Sequence, residues 1–142
     1  MSNTINSKER ARRRELTGQA RSLITRTLPI EDADESSLML GHNGFYLQIA
    51  FSELHPLMVI CMACPLNGPG VVKDLRIINI LNLKCVLGSH AVNMEAGCYS
   101  FRAALWLDTE LTRSRFLEIL DRCTEEAVRA FAQLTHRSEV SA

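Results

Sequence analysis

With 142 residues, 46% apolar and 23% charged, the chain has the size and composition of one globular domain that can bury a substantial core. Lys and Arg number 16 and Asp and Glu number 16, so there is no net charge, which argues against a general polyanion binder. No apolar run is long enough to span a bilayer, and the polar, then basic N-terminus has no apolar signal-peptide segment behind it; a cytoplasmic location without membrane insertion is expected.

Residues 1–7 are polar and are expected to be disordered, with a single domain over 8–135 and a disordered polar tail over 136–142. From Lys8 to about Leu28, Leu16, Ala20, Leu23, Ile24 and Leu28 recur at helical spacing, with arginines on the remaining arc and Pro29 as the stop. Glu31 to Glu35 reads as an acidic linker. Ser37 to Leu40 and Phe45 to Phe51 form a predicted hairpin around Gly41-His42-Asn43-Gly44, whose glycines and asparagine tolerate positive φ. Phe45, Leu47, Ile49 and Phe51 share one face of the second strand. Leu57 to Cys64 is of strand length and apolar on both faces, so both faces need cover. After Gly68-Pro69-Gly70, Val71 to Lys84 reads as a helix buried on more than one side. His90 to Asn93 and Cys98 to Leu107 are the next strands. In the latter, Tyr99, Phe101, Ala103, Leu105 and Leu107 oppose a mixed face of Ser100, Arg102 and Trp106. Thr112 is the expected N-cap of a last helix, Arg113 to about Leu134, with the stripe Phe116, Ile119, Leu120, Cys123, Ala127, Phe131 and Leu134. This order predicts an α+β fold: helix, three strands, helix, two strands, helix, with an antiparallel five-stranded sheet and helices mainly on one face.

No catalytic residue, metal ligand set or cofactor motif emerges. Cys61 and Cys64 have a Cys-x-x-Cys spacing, but inside a strand an offset of three puts their sulfurs on opposite faces, which suits packing rather than redox chemistry. A zinc knuckle needs a second pair, and Cys85 with Cys98 has the wrong spacing for one. His42, His55, His90 and His136 are scattered, and none has an acid nearby in a recognisable triad or metal spacing. Lys8, Arg10, Arg12, Arg13 and Arg14 crowd a single seven-residue window, yet Glu9 and Glu15 lie among them; a solvated face is favoured, with Arg12, Arg13 and Arg14 as a weak candidate polyanion contact. Arg102 and Trp106 are residue types enriched at binding hot spots.

The order of elements resembles the type III secretion chaperones of the CesT/Tir-chaperone type and the YbjN-like proteins that share their fold, over roughly residues 12–134. The local matches are the first helix ending at Leu28-Pro29, the hairpin around His42-Asn43-Gly44, and the strand Leu57 to Cys64. To these add Ile78-Asn79-Ile80-Leu81-Asn82 running to Leu87-Gly88, and Cys98 to Leu107 leading through Leu111-Thr112 into the last helix. The Asn-x-x-Asn helix looks particularly YbjN-like. What the resemblance implies is a homodimeric, non-catalytic protein that holds an extended segment of a secreted effector or another protein client against apolar grooves and sheet edges. The alternative it implies is a small YbjN-like regulatory protein acting through a folded partner or nucleic acid, although nucleic acid is the less favoured partner. One face of Leu57 to Cys64 should meet the helices through Val59, Cys61 and Ala63 or through the opposite set; with the former inward, Met58, Ile60 and Met62 point outward, and with Arg102 and Trp106 they make up the candidate client- or dimer-binding residues.

Overall fold

The structure is a computed structural model that describes residues 6–52 and 54–141, with side chains described through Leu134; residues 1–5, the greater part of the stretch expected to be disordered, lie outside it. The element order is α1 (Ser7–Thr27), β1 (Asp32–Ala33), β2 (Ser37–His42), β3 (Phe45–Ser52), β4 (Leu57–Pro65), α2 (Val72–Lys84), β5 (Ser89–Asn93), β6 (Cys98–Trp106) and α3 (Arg113–Ser141). All strand pairings are antiparallel, in the order β1-β2-β3-β4-β6-β5.

The fold is therefore α+β as expected, but the sheet has six strands and not five. The added strand, β1, lies in the stretch read as a linker: Asp32 pairs with Met39 and Ala33 with Leu38. Two residues carry no alternation, so hydropathy cannot reveal such a strand. The β2–β3 hairpin turns at Asn43 and Gly44, both at positive φ (49° and 83°), as the two-residue hairpin requires. Asn6 caps α1 by accepting from the Glu9 N–H at 2.8 Å, and Thr112 caps α3 by accepting from the Arg115 N–H at 3.2 Å. The last helix continues through Ser141, past the end near Leu134 that its apolar stripe predicts and into the segment expected to be a disordered tail.

One face of the sheet carries the core. Leu38 and Leu40, Phe45 to Phe51 in alternation, Met58, Ile60, Met62 and Cys64, and Tyr99, Phe101 and Ala103 are all buried there. Ala20 and Ile24 of α1, Ile78 of α2, and Phe116, Leu120, Cys123, Ala127, Ala130 and Leu134 of α3 join the same cluster. Aromatic edges lock the centre: Phe45 meets Tyr99 and Phe131 with ring centroids 6.4 and 6.1 Å apart. Gln19 of α1 fixes the approach to α3, its amide donating to the Leu111 carbonyl (2.9 Å) and accepting from the Leu111 N–H (3.0 Å).

Two expectations are corrected. Met58, Ile60 and Met62 do not point outward; at 0%, 1% and 0% exposure they are the helix-facing set, and Thr124 of α3 sits over Met62. The reason is the register: Met58, Ile60 and Met62 align with Phe51, Ile49 and Leu47 on one side and with Leu105, Ala103 and Phe101 on the other, which are the inward residues of β3 and β6. Second, α2 is not buried on more than one side. Only Asp74 and Ile78 are buried in it, while Val72, Leu75, Ile80 and Leu83 are exposed.

The assignment of faces predicts a contrast within one strand. Met62→Ala should lower unfolding free energy by about 2–5 kcal/mol, the cost of a cavity in the core. Val59→Ala, on the other face, should cost about 1 kcal/mol or less. Urea denaturation followed by circular dichroism measures both.

Candidate binding surfaces

Among the described residues, no helix lies over the second face of the sheet. Antiparallel register lines its residues up in rows across the strands. Met39, Gln48, Cys61, Arg102 and Ser89 form one row; Ala50, Val59 and Ala104 the next; Ser52, Leu57 and Trp106 a third; Tyr46, Ala63, Ser100 and Ala91 lie on the other flank. Leu57, Val59, Cys61 and Ala63 at the centre are half-buried, shaded by neighbours within their own sheet. Trp106 and Tyr46 stand up at opposite ends, 58% and 55% exposed, with Arg102 exposed between them. The expected pair Arg102 and Trp106 therefore shares one open surface, and the structure joins to it Leu57, Val59 and Cys61 in place of Met58, Ile60 and Met62. The face is apolar along β4, with the cation of Arg102 beside it and polar Gln48, Ser52, Ser89 and Ser100 on the neighbouring strands, suited to apolar side chains and an occasional carboxylate or carbonyl oxygen.

Thiol chemistry is not supported on this face. Burial pushes the Cys61 thiol up, against a smaller opposing pull from Arg102 and a small push from Cys98. Burial also raises Cys64, on the inward face, to about 12, and Cys123 to about 11. All three are protonated at neutral pH and are poor nucleophiles. The Cys-x-x-Cys pair does straddle the strand, with Cys61 half-exposed on the open side and Cys64 buried on the other.

A second surface lies on α2. Val72, Leu75 and Leu83 follow one helical line with Ile80 beside it, and the chain continues through Val86 and Leu87; their exposures run from 39% for Leu87 to 99% for Val86. An exposed apolar stripe of this kind is a candidate interaction surface.

The edges of the sheet are less open than its face. β1 has two residues. At β5, Asn82 of α2 occupies the place of a neighbouring strand: its carbonyl oxygen accepts from the His90 N–H at 2.7 Å and its amide donates to the His90 carbonyl at 2.9 Å. Addition of a client strand is blocked at that point. His90 itself is buried, and its ring bridges the Tyr99 hydroxyl (2.7 Å from Nδ1) and the Glu126 carboxylate (3.0 Å from Nε2). Sequence reading found no acid near any histidine because Glu126 lies 36 positions away; only the folding of α3 over β5 brings them together. Arg12 and Arg13 are held within the chain. Both pair with Glu9 at 3.1 Å, Arg12 also donates to the Asp108 carbonyl, and Arg13 donates to the Leu54 carbonyl at 2.7 Å; Arg14 is exposed. His136 lies among the residues whose side chains are outside the described set.

No protein-family model matches the chain, and no curated relative matches it. Solved structures do. YbjN from E. coli, for which a transcription-regulator role has been proposed, superposes with a TM-score of 0.64 at 12% identity, over 85% of this chain and 92% of that one. The Yersinia pestis type III secretion chaperone SycH, solved with a stable fragment of YscM2, gives 0.55 at 15% identity, over 81% and 98%. A chain of the HopA1–SchA chaperone–effector complex gives 0.51 at 11% identity, over 87% and 98%. The chain has the fold that type III secretion chaperones share with YbjN. Among the described residues no helix is long and apolar enough to cross a membrane.

Trp106 is the only tryptophan, so its emission reports on the open face. In the free protein it should be red-shifted and readily quenched by acrylamide, and quenching should fall when that face is occupied. A blue-shifted, protected emission from free monomer would contradict the exposed placement.

Proposed function

We propose that the chain is a non-catalytic binding protein of the secretion-chaperone type, which holds an extended segment of a protein client on its open sheet face. The observation that carries this reading is the uncovered face itself, with Arg102 and Trp106 flanking the half-buried Leu57, Val59 and Cys61. Three helices pack on one side of the sheet, so folding alone leaves this apolar surface in water. Two of the structural neighbours are chaperones solved with a bound partner, which agrees with such a role. The blunted edges favour docking across the face over strand addition, which refines the expectation of a client along the sheet edges. The apolar stripe of α2 is the surface we assign to a second copy, making the working form a homodimer in the cytoplasm. The two surfaces lie on different elements, so dimerisation and client binding need not compete.

A YbjN-like regulatory role through a folded partner or nucleic acid is the second reading, favoured by the similarity to YbjN. Its polyanion version is weakened by Arg12 and Arg13, whose guanidinium groups are engaged with Glu9, Asp108 and Leu54 inside the chain.

Affinity capture from the native host should recover a secreted protein bound through an unfolded segment. Val59→Asp and Trp106→Asp should each weaken that binding by about 2 kcal/mol or more, the cost of losing a hot spot, with circular dichroism unchanged. Equal capture by the variants, or recovery of only folded regulators or nucleic acid in a salt-sensitive manner, would overturn the client reading. Separately, sedimentation should show a dimer that Leu83→Asp converts to monomer; a native monomer at tens of micromolar, a concentration on the order of a weak interface's dissociation constant, would remove the dimer.

A further inference from the structure

The His90 network lies beside a third chemical group, the thiol of Cys85 at the end of α2. The Cys85 sulfur, a His90 ring nitrogen and a Glu126 carboxylate oxygen all lie within 4.8 Å of one another. They come from three separate elements: the C-cap of α2, β5 and α3. We propose that Cys85, His90 and Glu126 form a binding site for a divalent transition ion of the zinc class.

Four observations carry this. The donor set is right, since thiolate, imidazole and carboxylate together suit zinc, and three protein ligands with one open position are a common zinc arrangement. The charge is right: a thiolate and a carboxylate offset the two charges of the ion, so a neutral site forms in partly buried surroundings. The size is close. Zinc bonds of 2.0–2.3 Å at tetrahedral angles place ligand atoms about 3.6 Å apart. The ligand atoms lie within 4.8 Å of one another and His90 Nε2 is 3.0 Å from Glu126, so that pair must open slightly; Cys85 and Glu126, which would adjust, are only half-buried. Last, the histidine is already oriented from outside. Asn82 grips its backbone on both sides, its ring stacks on Tyr99 with centroids 5.9 Å apart, and Nδ1 faces the Tyr99 hydroxyl. A metal-bound histidine donates its other ring N–H to such a partner. Burial holds the Tyr99 phenol protonated, and its oxygen can still accept that N–H.

Without an ion, the Nε2 proton fits between His90 and Glu126. On binding, the Cys85 thiol releases its proton to water and becomes a ligand, while the imidazole changes tautomer: its proton passes from Nε2 to Nδ1, Nε2 becomes a ligand, and Nδ1–H donates to the Tyr99 oxygen. Cys85 and Glu126 also line a surface pocket of about 330 Å³ together with Lys84, Arg129 and Gln133, through which water would reach the ion to complete the shell. The ion would tie α2, in which only Asp74 and Ile78 are buried, to α3.

The test uses the full-length reduced protein freed of metal by chelation. Addition of Co²⁺ should produce a sulfur-to-cobalt charge-transfer band that saturates at one ion per chain, that Zn²⁺ abolishes, and that accompanies a rise in Tm. Cys85→Ala should remove the band and weaken Zn²⁺ binding by more than about 100-fold, beyond what loss of an outer partner costs. Glu126→Gln should weaken binding while leaving the fold intact, and Tyr99→Phe should weaken it about tenfold with the band retained. No band in the native chain, or a band unchanged in Cys85→Ala because another thiol supplies the sulfur, would overturn the site.

Discussion

The structure depends on an inequality between its two layers. Six antiparallel strands present two faces, and one chain supplies three helices, all of which pack on the same side. The helix side is closed by Met58, Ile60 and Met62 against α3, with Phe45, Tyr99 and Phe131 sealing the middle. The other side is left with the same central strand's Leu57, Val59, Cys61 and Ala63. An ordinary one-sided sheet makes its outer face polar. This one has Gln48, Ser100 and Arg102 there but is apolar all along its central strand, and the proposed function follows from that departure.

Much of this was legible in the sequence, and the limits have physical causes. β3 alternates cleanly, and its inward set is the one observed: Phe45, Leu47, Ile49 and Phe51 are buried. The last helix declares its stripe, and Phe116, Leu120, Cys123, Ala127 and Leu134 all face the core. β4 could not declare its orientation. Its odd and even residues are equally apolar, so only pairing with β3 and β6 decides which set turns inward, and the decision goes against the expected one. The same ambiguity misled the reading of α2, where apolar residues all round suggested burial on several sides. Periodicity measures the apolar character of a surface; it does not say whether the cover comes from the same chain.

The site candidates divide in the same way. Arg102 and Trp106 could be found because they interrupt an otherwise regular strand on the face opposite its core set. The grouping of Cys85, His90 and Glu126 could not, because it spans a helix cap, a strand and a helix with no local spacing to signal it. Asn82 offers the nearest hint: an asparagine near the end of a largely apolar helix serves the backbone of the strand that follows it.

That asparagine also bears on how such a molecule stays in solution. A protein with an apolar sheet face and an apolar helix stripe is at risk of linear growth, each copy adding a strand to the next. Growth of that kind needs a free edge. Here one edge is only two residues long, and at the other a side-chain amide already satisfies both backbone groups of His90. Association is thereby steered toward faces, which saturate, and away from edges, which propagate into fibrils.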